Sequence, residues 1–119
     1  MAVTTLLAKT VSDVGLVRDE NQDTTRLLVP TDPRVSETHG SLLAIADGMG
    51  GYAKGGVASV TAIDTFFEAF YRNAPDTRQA ALKGAVEQAN LAVHQASFRL
   101  NAGQMGTTLT VANVAGDRL

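Results

Sequence analysis

The chain has 119 residues, 45% of them hydrophobic and 18% charged, with a formal net charge of -2. Those values describe one ordinary folded domain and exclude disorder, while the lack of a basic cluster removes any general attraction to nucleic acid or anionic membranes. With no cysteine present, disulfides, zinc-thiolate sites, iron-sulfur clusters and thiol nucleophiles are excluded as well.

From Val3 to Val11 the residues are rich in Val, Thr and Leu and predict a strand, which the turn chemistry of Ser12-Asp13-Val14-Gly15 ends. The polar loop Arg18-Asp19-Glu20-Asn21-Gln22-Asp23 precedes a second strand over Thr24 to Val29, stopped by Pro30, and the two strands are expected to pair as a hairpin. Pro30 to Gly40 lacks periodicity and reads as an exposed loop. The apolar run Leu42-Leu43-Ala44-Ile45-Ala46 then predicts a strand buried on both faces, which delivers Asp47 into the glycine-rich turn Gly48-Met49-Gly50-Gly51.

Val57, Val60, Asp64, Phe67 and Tyr71 recur three or four apart, broadened by Ala58, Thr61, Ile63 and Phe70, and predict a helix from Ala53 to near Asn73. Pro75-Asp76 opens a second helix, in which Leu82, Val86, Ala89, Val93, Ala96 and Leu100 form a narrow apolar seam, and Asn101-Ala102-Gly103 ends it. Gly106 to Val114 returns to strand character and closes on the turn-like Ala115-Gly116-Asp117. The order is β-β-β-α-α-β. Two successive helices between strands do not make single βαβ crossovers, so an α+β layer arrangement is expected. A stop at Arg118-Leu119, just past a hairpin-type turn, leads us to expect a chain cut short at its C-terminus.

Two constellations carry possible chemistry. A carboxylate at the tip of a buried strand costs several kcal/mol unless something compensates it, and a bound cation near Asp47 would do so. The competing reading is a tight strand-to-helix turn in which Asp47 caps backbone N-H groups. Phosphate cradling is disfavoured, because the turn lacks both the Walker lysine and the third glycine of a dinucleotide fingerprint. The second constellation, Arg18 to Asp23, imitates a calcium loop but has Thr24 where glycine belongs and Pro30 in place of the closing acid. A solvated polar turn is its bland alternative, although the planar Arg18 guanidinium is suited to gripping two phosphate oxygens. His39 and His94 receive no role, Thr107 and Thr108 are read as packing residues, and Asp117 as part of a surface turn.

Taken in order, Ser12-Asp13-Val14-Gly15 with Arg18-x-x-Asn21-Gln22-Asp23, then Asp47-Gly48-Met49-Gly50-Gly51, then Gly106-Thr107-Thr108-Leu109, resemble the metal-dependent serine/threonine protein phosphatases of type 2C, and most closely their bacterial branch. The resemblance spans nearly the whole chain. It implies part of a four-layer α-β-β-α sandwich with antiparallel sheets, two manganese or magnesium ions bridged by a hydroxide, and hydrolysis of phosphoserine and phosphothreonine in proteins, among them targets of a serine/threonine kinase. By the same resemblance, Asp47 is the carboxylate bridging both metals and Gly48 offers its carbonyl oxygen to one of them. Asp23 holds metal-bound water, and Arg18 binds the phosphate.

Two residues depart from the family pattern. Gln22 stands where some members carry glutamate, and Met49 where animal members carry a histidine proposed as general acid. The remaining family metal ligands are C-terminal aspartates that this chain does not reach, so the 119 residues are expected to be the N-terminal portion of one catalytic domain, inactive alone. A non-catalytic interaction module using a sheet edge or the Leu82 to Leu100 seam is the alternative, and nucleotide binding at the glycine turn ranks last.

Overall fold

In the computed structural model, residues 6–18, 20–51, 53–72, 76–100 and 104–119 are described. The expectations placed on the start of the Val3–Val11 strand, Asp19, Asn73, Pro75 and the Asn101-Ala102-Gly103 stop lie outside them. The elements are β1 (Asp23–Leu28), α1 (Pro33–Thr38), β2 (Ser41–Met49), α2 (Lys54–Arg72), α3 (Arg78–Arg99), β3 (Gly106–Thr107) and β4 (Thr110–Val114). The fold is α+β with an antiparallel sheet, as expected, but its order is β-α-β-α-α-β-β.

The aliphatic run becomes the middle of β2, the central strand. β1 lies on one side of it, with Asp23 opposite Asp47 and Leu28 opposite Leu42. On the other side, β4 pairs with Ser41 to Ile45 and β3 with Gly48 and Met49. Leu6 to Val11 form no strand, so the expected hairpin with β1 is replaced by the β1-β2 pair. Gly106 to Val114 divides into two strands at Thr108 and Leu109. The polar stretch after Pro30 is not all loop: Asp32 caps α1 by accepting the Arg34 N-H at 2.9 Å, and Pro33 occupies the first turn. Gly40 then turns the chain into β2 at φ +73°, where an added Cβ would strike the Val114 carbonyl oxygen.

α2 and α3 cover one face of the sheet only. Leu42, Ala44 and Ala46 point into the core, whereas Ile45 on the opposite face is 56% exposed. β2 is thus buried on one face, and the strand expected to be covered twice reads correctly only for its even-numbered residues. The overall extents of 52 × 33 × 18 Å fit this two-layer arrangement.

Phe66, Phe67, Phe70, Ile63 and Leu42 are the large side chains sealed inside. Phe66 stacks on Phe70 with ring centroids 6.3 Å apart. At the sheet edge the Arg26 guanidinium lies 4.7 Å from the Phe67 ring centroid and reaches Asp64 at 3.3 Å. Both helices exist where periodicity places them, and Ala58, Ile63, Phe67, Phe70, Ala89 and Ala96 are buried as expected, but each buried face is shifted towards smaller residues. The buried line of α2 runs through Ala58, Ala62, Phe66 and Ala69 beside Ser59, Ile63, Phe67 and Phe70, leaving Val57 and Val60 on the flank. In α3 the buried residues are Ala81, Ala85, Ala89 and Ala96, while Val86 and Leu100 stand half exposed. Alanines let the two helix backbones approach closely, so small residues rather than the largest aliphatics set the contact face. Thr77 caps α3 through its hydroxyl, which accepts the Ala80 N-H at 3.1 Å. Among the described residues no helix is long and apolar enough to cross a membrane.

Candidate metal centre

Directly paired residues of an antiparallel ladder project from the same face, so the β1-β2 register sets Asp23 and Asp47 side by side on the face the helices leave open. Like charges opposite one another destabilise a sheet. Asp47 is exposed rather than buried at a strand tip, and the compensation it needs is for a neighbouring charge, not for burial. The Asp23 carboxyl is held above the ordinary carboxylate range, first by desolvation, then by the hydrogen bond it shares with Asp47 and by the Asp47 charge.

The sign of this shift gives a test. A carboxyl whose folded-state pKa is raised binds its proton more tightly in the fold, so stability falls as pH rises from the unfolded value through the raised one. Asp23→Asn should therefore raise the melting temperature in EDTA at neutral pH and remove that loss on the acid side. An unchanged or lower melting temperature in scanning calorimetry would show that the two carboxylates do not strain the fold.

The turn after Asp47 is tied down from several directions. Gly48 sits so close to the start of α2 that an added Cβ would collide with the Gly55 carbonyl oxygen, so a side chain here would push the helix off the strand. The Gly48 N-H donates to the Gln22 carbonyl at 3.2 Å, and the Gln22 side-chain amide donates to the Gly50 carbonyl at 3.1 Å. Beneath them the fully buried Ser59 hydroxyl donates to the Gln22 carbonyl at 2.8 Å and lies 2.7 Å from the Thr24 hydroxyl. The Gly48 N-H is committed to Gln22 and the Lys54 N-H to the Gly51 carbonyl at 3.2 Å, so neither is open to a phosphate oxygen.

A cleft of about 740 Å³ opens over this turn, walled by Arg18, Asp23, Asp47, Gly48, Gly50 and Thr108 among others. The loop carrying Arg18 folds towards it through side-chain bonds: the Gly15 N-H to Asp13 at 2.7 Å, the Asp23 N-H to Asn21 at 3.0 Å, and the Asn21 amide to the Ser12 hydroxyl at 2.7 Å. All the sequence-predicted site residues thus share one cavity. Neither histidine lines it. Met49 does, and its thioether has no proton to donate.

The donors gathered here are oxygens, which suit hard divalent cations. Two carboxylates and one glycine carbonyl fall short of the six or so ligands such ions take, and no group of three or more His, Cys, Asp or Glu residues assembles among the described residues. The cleft fits one side of a metal centre.

Three supporting residues were not legible as such. In the sequence Gln22 stands out only as a departure from glutamate, and Thr108 reads as a packing residue. Ser59 left a usable signal, because a hydroxyl on the apolar face of a helix needs a specific partner.

No family model matches the chain. The serine/threonine protein phosphatase PstP of Mycobacterium tuberculosis is 38% identical over 109 residues, which make up 91% of this chain and 19% of PstP. The crystal structure of the PstP catalytic domain in complex with two manganese ions superposes with a TM-score of 0.64 at 36% identity, covering 86% of this chain and 40% of that one. PppA, described as a key regulatory component of the T6SS in Pseudomonas aeruginosa, superposes with the same TM-score at 29% identity, covering 89% of this chain and 42% of its own. This chain therefore spans less than half of each of these proteins. Its ordered motifs, its antiparallel fold and this similarity along nine-tenths of its length make the chain similar to part of the catalytic domain of a serine/threonine protein phosphatase.

Proposed function

We propose that this chain supplies one side of the metal centre of a protein serine/threonine phosphatase. The observation that carries this reading is the cross-strand pair Asp23 and Asp47, two like charges placed opposite each other beside a glycine turn and within one cleft with Arg18. An arrangement that costs stability in the bare protein becomes favourable when a cation sits between the carboxylates. The manganese ions of the similar PstP catalytic domain support the same reading.

Asp47 and the Gly48 carbonyl would hold Mn²⁺ or Mg²⁺, two ions in the complete centre, with Asp23 acting one layer further out by accepting hydrogen bonds from water. Bound divalent ions lower the pKa of water and neutralise phosphate charge. Arg18, on the same wall of the cleft, would orient a phosphoserine or phosphothreonine monoester by donating to its non-bridging oxygens. Gln22 and Ser59 keep the Gly48–Gly50 backbone fixed against α2, so the carbonyl direction is set before any ligand arrives. None of these side chains is placed to protonate the departing alkoxide, and that proton must come from solvent or from a residue outside this set. With only Asp47 and the Gly48 carbonyl in direct reach of the ions and Asp23 acting through water, the 119-residue chain alone should hydrolyse phosphopeptide slowly or not at all.

The experiment is hydrolysis of a phosphothreonine peptide by the full-length protein with Mn²⁺ titrated in after EDTA treatment. Turnover that returns with Mn²⁺ and falls sharply in Arg18→Ala is expected. A protein that binds Mn²⁺ yet leaves the peptide intact would rule the phosphatase reading out.

A further inference from the structure

We infer that Thr108 is a positioning residue for Asp47, an inference that rests on the metal-centre reading above. Asp47 and Thr108 occupy opposite positions in the β2 ladder: Ile45 pairs with Thr110 on one side and Gly48 with Thr107 on the other, so no residue is inserted between and the register is unbroken. In an ordinary antiparallel pair of this kind each residue donates its N-H to the other's carbonyl. Here only half of that exchange is made. The Thr108 N-H donates to the Asp47 carbonyl at 2.9 Å, but the Asp47 N-H donates at 3.0 Å to the Thr108 side-chain hydroxyl. The Thr108 carbonyl has turned aside and accepts the Thr107 hydroxyl at 2.8 Å.

This exchange has two consequences. Both backbone polar groups of Asp47 are held by a single residue 61 positions later in the chain, which fixes the peptide planes on either side of its Cα and so the direction in which its carboxylate leaves the sheet. The second strand breaks into β3 and β4 at this point, which lets Thr108 line the cleft instead of continuing the ladder. Valine has the shape and strand preference of threonine but no hydroxyl. It would leave the Asp47 N-H without its acceptor while preserving the packing.

The test measures Mn²⁺ affinity in the full-length protein, by electron paramagnetic resonance of the free ion, together with the melting temperature in EDTA. Partners that orient a metal ligand typically contribute about 10- to 100-fold to affinity. Thr108→Val should weaken Mn²⁺ binding at least about tenfold, and Thr108→Ser, which restores the hydroxyl, should stay within about threefold of wild type although serine is the poorer strand former. If Thr108→Val does not fold, Thr108→Ala makes the same comparison against Thr108→Ser. Wild-type affinity in the valine variant, or an equal loss in the serine and valine variants, overturns the inference. Asp47→Asn is measured alongside: if it too binds Mn²⁺ normally, the metal-centre reading itself has failed, whereas loss in Asp47→Asn with none in Thr108→Val removes only the role of Thr108.

Discussion

Asp47→Asn in the full-length protein is expected to weaken Mn²⁺ binding by more than about 100-fold and to lower phosphopeptide turnover by about a thousandfold, because it removes the one carboxylate assigned to contact both ions. The substitution keeps the side-chain shape and leaves both backbone hydrogen bonds to Thr108 untouched. It also relieves the like-charge pairing with Asp23, so the metal-free protein should melt no lower than wild type. Calorimetric titration with Mn²⁺, paired with a melting curve in EDTA, separates the two effects. Retained Mn²⁺ affinity would remove Asp47 from the metal centre, and a lowered metal-free melting temperature would show that the carboxylate serves the fold instead.

The largest stability effect is expected at Phe70. Its ring is fully buried, stacks on Phe66, and meets Tyr71 and His39 edge-on at 5.0 and 5.6 Å between centroids. Deleting a ring in such a setting costs about 3–5 kcal/mol, the spread reflecting how far the walls collapse into the void. Total stability is about 5–15 kcal/mol for a domain of this size, so Phe70→Ala should shift the urea midpoint far towards zero or prevent folding at 37 °C. Phe98, which is 73% exposed on α3, provides the comparison: Phe98→Ala should move the midpoint little. Equal effects at the two positions in urea titrations followed by circular dichroism would mean that the core has been placed wrongly.

Much of this architecture can be read from residue order, and the failures share a cause. The helices were legible because apolar residues recur three and four apart over long stretches, yet the faces came out shifted. Periodicity put Ala58, Ile63, Phe67, Phe70, Ala89 and Ala96 on the buried side, but it also weighted Val57, Val60 and Val86, which stand half exposed, and passed over Ala62, Ala81 and Ala85, whose small size permits close approach. α1 was hidden because the prolines that bracket loops also open helices, and Asp32-Pro33 is a start signal only when the residues after it turn. Asp47, Asp23 and Arg18 were found as members of ordered motifs, but their mutual placement depends on the β1-β2 register, and the sequence suggested a different strand partner for β1. The bonds from Gln22 to Gly50 and from Thr108 to Asp47 join residues 28 and 61 positions apart. Side-chain-to-backbone links at such separations leave no periodic trace.

Along β2 the outward residues run Ile45, Asp47, Met49, so the half-exposed isoleucine and the Asp47 carboxylate stand two residues apart, about 7 Å, on one surface. Any layer that shields Ile45 from water also brings its own groups to the rim of the cleft. Where such a layer alters ion affinity, linkage makes the coupling reciprocal: whatever factor the layer adds to ion affinity, the ion adds to the grip of that layer.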